Sequence, residues 1–142
     1  MCRYGAREFP GAIGKNPFDI EHIWPDKYNH YRNKFDSADE FDAWRNDVAA
    51  LLLLPADVNR SYQDQPFEVK APHYAKQNFY AASLTASAYQ HQPQFAAFQK
   101  ANKLAFMPYV SFNTEAQQER GELLLALVNI IWSAARLEKL RR

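Results

Sequence analysis

Apolar and polar positions alternate near the start of the chain, and a second short stretch is continuously apolar. The alternation runs from Phe18 to Trp24 and stops at Pro25, which predicts a short strand ended by a residue that cannot donate to a ladder. The run from Val48 to Leu54 is bounded by Asp47 and Pro55. It fits a buried strand or a core helix turn, and its length and boundaries favour the strand. Together the two strands predict a small hairpin-like sheet.

Helical spacing governs much of the remaining pattern, and the start signals divide it into four predicted helices. The capping box Ser37-Ala38-Asp39-Glu40 predicts a helix of about three turns that carries Phe41 and Trp44 inward. Pro72 is expected at a helix start, and the helical pattern continues to about Tyr89. Another short helix is expected to begin near Pro93 and to carry Phe95 and Phe98.

The longest helical pattern lies at the C-terminal side. It opens with the capping box Thr114-Glu115-Ala116-Gln117 and runs toward Leu137. Residues Leu123 to Trp132 are apolar nearly all round, so this helix is expected to be the buried spine. The basic residues near its end suit a helix C-terminus and are expected to form a solvated tail; they are Arg136, Lys139, Arg141 and Arg142.

The length and composition fit one globular domain. The chain has 142 residues, of which 47% are hydrophobic and 15% aromatic, enough for one sizeable core. Three of the four glycines lie in the first 14 residues, so residues 1–17 are interpreted as an irregular lead-in. Residues 18–142 are interpreted as the single domain, which we expect to be the C-terminal part of a longer protein.

Charge and cysteine content restrict the chemistry. The 17 basic and 16 acidic residues give a net charge near +1, so any nucleic-acid binding must come from a local patch. The single cysteine, Cys2, excludes a disulfide framework and a Cys-x-x-Cys zinc knuckle. The sequence shows neither a signal peptide nor a membrane span, and we expect a cytoplasmic protein without a membrane partner.

Glu21 and His22 stand side by side and have the chemistry that phosphodiester hydrolysis requires. A histidine is basic enough to activate a water and is largely neutral near pH 7. A carboxylate suits a hard cation such as Mg²⁺. Neighbours on a flat strand point to opposite faces, so these two side chains can converge only if the strand twists or ends there, and Pro25 makes an end plausible.

Three ordered blocks extend this pair. They are Asp19-Ile20-Glu21-His22-Ile23-Trp24-Pro25, then Ala49-Ala50-Leu51-Leu52-Leu53-Leu54, then Asn59-Arg60-Ser61 ahead of Pro66-Phe67-Glu68-Val69-Lys70. In this order the blocks resemble the His-Asn-His (HNH), or ββα-metal, nucleases. They are most similar to the C-terminal domain of GmrSD-type modification-dependent restriction proteins. Weaker likeness continues through His73-Tyr74 to Ile131-Trp132.

The resemblance implies a fold, a reaction and a set of site residues. The fold would be α+β, mainly helical, around a small two-stranded ββα-metal core. The chain would be a metal-dependent DNA endonuclease of a restriction or defence system, with His22 as the general base. Glu21 and Asn59 would bind the metal ion, Mg²⁺ or alternatively Mn²⁺. Asp19 shares a strand face with Glu21 and could substitute as a ligand.

Four residues are candidates for contact with DNA. Arg60, Lys70 and Lys76 flank the proposed site in sequence, and the resemblance places Lys70 near the phosphate. His73 could bind a phosphate oxygen at the start of the helix expected after Pro72, or could be a plain exposed or capping histidine. The resemblance also implies an NTPase or recognition domain as a partner.

One position departs from the family pattern. Ala50 stands where the family usually has the asparagine that orients the histidine, and Asn46 lies four residues too early to replace it by register. Either another group orients His22, or activity is weakened. Two other readings therefore stay open: a weakened HNH-like module that holds DNA or a partner subunit, and a structural helical domain in which the Glu-His pair is incidental.

Overall fold

The two predicted strands form an antiparallel pair. A computed structural model describes residues 18–62 and 64–140, without the side chains at positions 58, 60, 61 and 140. The interpretation of residues 1–17 as a lead-in lies outside this range. Strand β1 (Phe18–His22) pairs with strand β2 (Leu51–Pro55), with Phe18 opposite Pro55 and His22 opposite Leu51. The hairpin-like sheet predicted from the sequence is confirmed.

The second strand begins later than predicted. Residues Val48–Ala50 form a 3-10 turn instead of the first part of β2. The carboxylate of Asp47 accepts a hydrogen bond from the backbone N–H of Ala49 at 2.8 Å, and the Asp47 carbonyl accepts one from Ala50 N–H at 2.8 Å. Such local bonds to an aspartate compete with extended structure. The apolar run is therefore a turn followed by a strand.

A helix follows β2 directly and completes a ββα unit. Helix α2 (Ala56–Tyr62) packs against both strands. The amide Nδ2 of Asn59 donates to the carbonyl of Ile20 at 3.1 Å, which attaches α2 to β1. The remaining described elements are mostly helical. The fold is α+β, as predicted, with a small two-stranded core.

Helix α1 (Ala38–Arg45) begins at the predicted capping box. The Ser37 hydroxyl accepts a hydrogen bond from the Glu40 N–H at 3.1 Å, and the Glu40 carboxylate accepts one from the Asp36 N–H at 2.7 Å. Phe41 is buried and Trp44 is partly buried, as the helical spacing indicates. The predicted start and inward face of α1 are confirmed, but the helix has 8 residues, about two turns instead of three.

The single helix predicted from Pro72 to Tyr89 is wrong. Helix α3 (Phe67–Tyr74) begins after Pro66 and contains Pro72 in its interior. It is followed by the separate helix α4 (Phe79–Ala82) and by a 3-10 turn at Ala86–Tyr89. Proline in a helix interior removes a backbone hydrogen bond, and α3 ends two residues later. Asn78 then starts α4, since its side chain accepts from Ala81 N–H at 3.0 Å.

Helix α5 (Pro93–Asn102) has proline in its first turn, as predicted. It ends at Lys103, whose φ of 54° is in the left-handed region. Phe95 packs against Phe79, with ring centroids 4.5 Å apart. Phe98, by contrast, is exposed.

Helix α6 (Thr114–Ile131) is not the buried spine that the sequence predicts. Its cap is Asn113, whose side chain accepts from Ala116 N–H at 2.9 Å, so the predicted box at Thr114 is displaced by one residue. Only its first half is buried, and the exposed apolar side chains of the second half are Leu125, Val128 and Ile131. These residues find no other element to cover them within the described part of the chain.

The chain beyond α6 is also more exposed than expected. The helix stops at Ile131, Trp132 is exposed, and helix α7 (Ala134–Leu140) follows after a break. Arg136 and Lys139 are exposed, in agreement with a solvated basic end, whereas Arg141 and Arg142 lie outside the described residues. No helix in the described ranges is long and apolar enough to cross a membrane.

The core is assembled around Trp24, directly after β1. Its ring meets four other aromatic rings edge-on, with centroids 5.2–6.4 Å away: Tyr31, Phe35, Phe41 and Phe112. Its Nε1 donates to Gln117 Oε1 at 2.6 Å, and Gln117 Nε2 donates to the Trp44 carbonyl at 2.8 Å. These contacts fix the end of β1 against α1 and α6.

Candidate active site

A cavity of about 220 Å³ lies at the end of β1. The described residues that line it come from the strand end, from the last turn of α1 and from α2 and the segment after it: Ile20, Glu21, His22, Trp24, Pro25, Asp26, Arg45, Asn59 and Asp64. Because β1 ends at His22, Glu21 and His22 both border this cavity although they are neighbours in sequence. The strand therefore ends at this pair, which is one of the two conditions under which the sequence analysis expected the side chains to converge.

Glu21 is buried and tightly held. Its side chain is about 6% exposed, and its Oε1 lies 2.7 Å from the Lys70 ammonium and 2.6 Å from the Tyr74 hydroxyl, which donates to it. Lys70 also donates to the carbonyl of His22 at 2.7 Å. Helix α3 therefore binds the strand end through two of its side chains. The Oε2 atom of Glu21 is the carboxylate oxygen that these contacts do not use.

His22 is oriented by Asn46, the residue that follows α1. His22 Nε2 lies 3.1 Å from Asn46 Oδ1, and Asn46 Nδ2 donates to the carbonyl of Asp42 at 2.7 Å. The second bond requires Nδ2 to face Asp42, so Oδ1 faces the imidazole as an acceptor. Nε2 must then carry the proton, which leaves Nδ1 with the free lone pair of a neutral imidazole.

Asn46 therefore contacts His22, although its position in the sequence does not match that of the family's asparagine. The 3-10 turn Val48–Ala50 folds the chain back after α1, which brings Asn46 beside His22 even though it is four residues from the expected position. Ala50 itself is fully buried, and its carbonyl accepts from Ile23 N–H at 2.9 Å. The structure therefore shows another group, Asn46, in hydrogen-bond contact with His22.

The surroundings keep the imidazole of His22 neutral. Burial lowers the pKa of His22 below its ordinary value, and the positive charge of Arg45 lowers it further. The hydrogen bond with Asn46 and the charge of Glu21 act in the opposite direction but are weaker. A neutral imidazole with a free lone pair can accept a proton near pH 7.

Asn59 borders the cavity from α2. Its Nδ2 is bonded to the Ile20 carbonyl, and its Oδ1 is the oxygen left for a ligand. Asp26 and Asp64 are exposed carboxylates at the same cavity. The described lining of the cavity therefore combines an imidazole, oxygen donors and one guanidinium.

Arg45 is the last residue of α1 and borders the cavity beside His22. Its Nε atom is buried and has no hydrogen-bond partner among the described residues. An unsatisfied buried donor costs about 1–3 kcal/mol, so such groups are usually paired in folded proteins.

Asp19, Lys70 and Lys76 are not among the described residues that line the cavity. Asp19 lies on β1 opposite Leu54 and is partly buried. Lys70 is buried in its pair with Glu21. Lys76 is exposed after the end of α3, and the side chain of Arg60 lies outside the described part of the structure.

The prediction that a helix starts at Pro72, just before His73, is wrong. His73 is exposed in the last turn of α3, because that helix begins at Phe67. The argument from a helix N-terminus therefore no longer applies to it, since a helix C-terminus carries the opposite partial charge. Its ring lies against Tyr62, with centroids 5.4 Å apart.

The donor atoms fit a hard divalent cation that keeps most of its water. No group of three or more His, Cys, Asp or Glu side chains in the described ranges is arranged to hold a metal ion. Glu21 Oε2 and Asn59 Oδ1 are nevertheless the oxygen ligands that Mg²⁺ prefers, and Mg²⁺ is usually bound through one or two carboxylates plus waters. The nearby Lys70 ammonium opposes a second cation and predicts weak binding.

Sequence reasoning did not assign three residues of this site: it named Asn46 but set it aside by register, and it gave no role to Arg45 or Tyr74. Asn46 and Tyr74 act through partners that are 24 and 53 residues away in sequence, so no local spacing indicates them. Arg45 comes directly after Trp44 at the end of α1, and in the sequence it cannot be told from an ordinary surface arginine at a helix C-terminus. The available signal in the sequence was a capped helix whose end, Arg45-Asn46, comes shortly before the second strand.

Comparison with known proteins gives one match. A family model described as GmrSD restriction endonucleases, C-terminal domain, matches residues 3–127. This range includes the whole cavity and ends within α6. No curated protein and no solved structure matches the chain.

Proposed function

Because the chain belongs to the C-terminal domain family of GmrSD restriction endonucleases, we propose that it is an HNH-type, metal-dependent endonuclease. The family implies a nuclease with DNA as its substrate. The observation that carries the finer proposal is the imidazole of His22, held by Asn46 at the end of a strand and beside Glu21 and Asn59. A base next to hard oxygen donors is the arrangement that hydrolysis of a phosphodiester requires.

His22 is the proposed general base. Its Nδ1 takes a proton from the water that attacks the phosphorus in line with the leaving 3′ oxygen, so the product carries a 5′ phosphate. Asn46 holds the ring during this step and accepts from Nε2–H, and the same bond stabilises the imidazolium that forms. Burial and Arg45 keep the imidazole neutral beforehand, because both lower its pKa.

Glu21 and Asn59 would hold the metal ion through Oε2 and Oδ1, with Asp19 as a substitute ligand. Mg²⁺ is the ion that suits these atoms, and Mn²⁺ accepts the same ligands. When bound, the ion supplies positive charge that stabilises the pentacovalent transition state and the departing oxygen.

Lys70 and Tyr74 are positioning residues in this proposal. They contact Oε1 of Glu21 and not Oε2, and Lys70 also donates to the backbone carbonyl of His22. A carboxylate that is already oriented loses little conformational entropy when it binds an ion.

Contact with DNA outside the cavity is assigned to residues of α2 and α3 and of the segment after α3, of which His73 and Lys76 are exposed. Arg60, His73 and Lys76 are the candidates, and each phosphate neutralised by a cationic side chain adds about 0.9 to the salt dependence of binding. A restriction or defence role, base-modified substrates, an NTPase or recognition partner and a cytoplasmic location are proposed from the family alone.

A plasmid-nicking assay tests the function. Supercoiled DNA is incubated with the protein and Mg²⁺ or Mn²⁺, with an excess of chelator as the control. We expect metal-dependent nicking that His22→Ala abolishes while DNA binding is retained. His30→Ala is the matched control, because His30 is exposed on the turn Tyr28–His30 and does not line the cavity.

Two results would reject the nuclease proposal. Nicking that survives in His22→Ala would show that another group or a contaminant is responsible. Binding of DNA without any nicking by the unmodified protein would favour the binding-module alternative instead.

A further inference from the structure

We propose that Arg45 binds the scissile phosphodiester of DNA in the cavity beside His22. This inference rests on the proposed function, and it adds a substrate-binding residue that the sequence did not indicate. Arg45 would donate to the non-bridging phosphate oxygens through its guanidinium.

The position of Arg45 is the first support. It ends α1 and is followed by Asn46, so the residue that orients the base and the proposed phosphate ligand leave the same helix end. Arg45 borders the same cavity as His22 and Asn59. A phosphate that entered this cavity would therefore lie within reach of the base and of the guanidinium together.

The charges at the cavity are the second support. Asp26, Asp64 and Glu21 border it, and a phosphodiester would be repelled by uncompensated carboxylates. Arg45 is the one Lys or Arg among the described residues that line the cavity. No ion pair joins Arg45 to any of these carboxylates in the described part of the structure.

The unsatisfied Nε of Arg45 is the third support. This donor is buried and has no acceptor within the described ranges, although buried polar groups are rarely left unpaired. A phosphate oxygen in the cavity would supply the acceptor that this side chain lacks. Guanidinium groups also match the paired oxygens of a phosphate, through two parallel hydrogen bonds.

Lys70 is the competing cation, and its contacts argue against it. It is buried, and its ammonium already contacts the Glu21 carboxylate and the His22 carbonyl at 2.7 Å each. Binding a phosphate would require Lys70 to give up both partners. The Nε atom of Arg45 has no hydrogen-bond partner among the described residues to give up.

DNA binding as a function of salt tests the inference. A short fluorescent DNA duplex is titrated in the presence of Ca²⁺, with the full chain carrying His22→Ala as the reference so that the duplex stays intact. Arg45→Gln and Arg45→Lys are added to this background. Arg32→Gln is the matched control, because Arg32 is exposed, lies over the Tyr28 ring and does not border the cavity.

We expect Arg45→Gln to weaken binding about tenfold and to lower the slope of log affinity against log salt by about 0.9. Arg45→Lys should keep the slope, because the charge remains, but should lose affinity, because an ammonium cannot form the paired contact. Arg32→Gln should change neither quantity. Circular dichroism melting confirms that each variant is folded; if Arg45→Gln is not, Arg45→Lys decides through its affinity.

The inference is overturned if Arg45→Gln shows the same slope of log affinity against log salt as the reference, or if the reference does not bind the duplex. When Arg45→Lys is the deciding variant, full affinity of that variant overturns the inference. Failure of the proposed function looks different. In that case the unmodified protein does not nick plasmid with Mg²⁺ or Mn²⁺, yet the Arg45 variants still change the salt slope.

Discussion

Replacing Asn46 with alanine removes the acceptor that holds the imidazole of His22. The bond from His22 Nε2 to Asn46 Oδ1 is 3.1 Å long and connects Asn46 to a histidine that lines the cavity. In the resting protein it joins neutral groups, whereas after proton transfer the donor is an imidazolium. The bond is therefore stronger in the transition state than in the ground state, which is the condition for an effect on kcat.

The expected magnitude follows from the charge on the donor. A hydrogen bond to a charged group contributes about 1.5–3 kcal/mol and a neutral one about 0.5–1.5 kcal/mol. The difference of about 1–1.5 kcal/mol corresponds to a loss of about 5- to 12-fold in kcat. KM should change little, because Asn46 does not line the cavity that would receive the phosphate. Asn46 also bonds to the Asp42 carbonyl, so a modest loss of stability should accompany the change.

The pH profile distinguishes this role from a purely structural one. The bond to Asn46 raises the pKa of His22, so its removal should lower that pKa and move the acid limb of kcat/KM to lower pH. Asn46→Asp should have the opposite effect, because a carboxylate favours the imidazolium and raises the pKa. Nicking rates measured across pH 5 to 9, about two pH units either side of neutrality, give both limbs.

Asn29→Ala serves as the control, since Asn29 is an exposed asparagine on the turn Tyr28–His30. Urea denaturation of each variant separates loss of folding from loss of activity. An Asn46→Ala protein with unchanged kcat and an unchanged acid limb would refute the assignment of Asn46 as the orienting residue.

Three further predictions concern stability. Lys70→Met should cost about 3–5 kcal/mol in urea denaturation, because it leaves the Glu21 carboxylate buried without its ion-pair partner; adding Glu21→Gln should recover part of this loss. Ala50→Asn should cost about 1–3 kcal/mol in the same assay without raising activity, because Ala50 is fully buried and the added atoms overpack the core. The pKa of His22 is lowered in the folded state, so the free energy of unfolding should fall as the pH drops through the pKa of the unfolded chain, about 6.5. His22→Asn should remove this component from the pH dependence of the urea midpoint.

Local patterns were sufficient to predict the strand that carries Glu21 and His22 and the start of the helix that precedes Asn46. Alternation ended by Pro25 predicted β1, and the box at Ser37 predicted the start of α1. Proline at the first position of a helix was informative at Pro93 but misleading at Pro72. The physical difference is that α3 already begins after Pro66, so Pro72 interrupts a helix instead of starting one.

The apolar pattern of α6 was misleading for another reason. An all-apolar stretch predicts burial only if another element covers every side of the helix, and periodicity carries no information about neighbours. The first half of α6 packs against the turn Val48–Ala50, where Arg120 donates to the Ala49 carbonyl at 3.0 Å. The second half has Leu125 and Val128 exposed.

The orientation of His22 depends on α1 instead of β2, and this has a structural cause. At position 50 the chain is still in the turn, and its carbonyl is used by Ile23 N–H while its Cβ lies in the core. A side chain there cannot point toward His22 without displacing the core. The end of α1 instead supplies both Arg45, which lines the cavity, and Asn46, which contacts His22. If the proposed roles hold, a shift of this helix end would change the orientation of His22 and the binding of phosphate together.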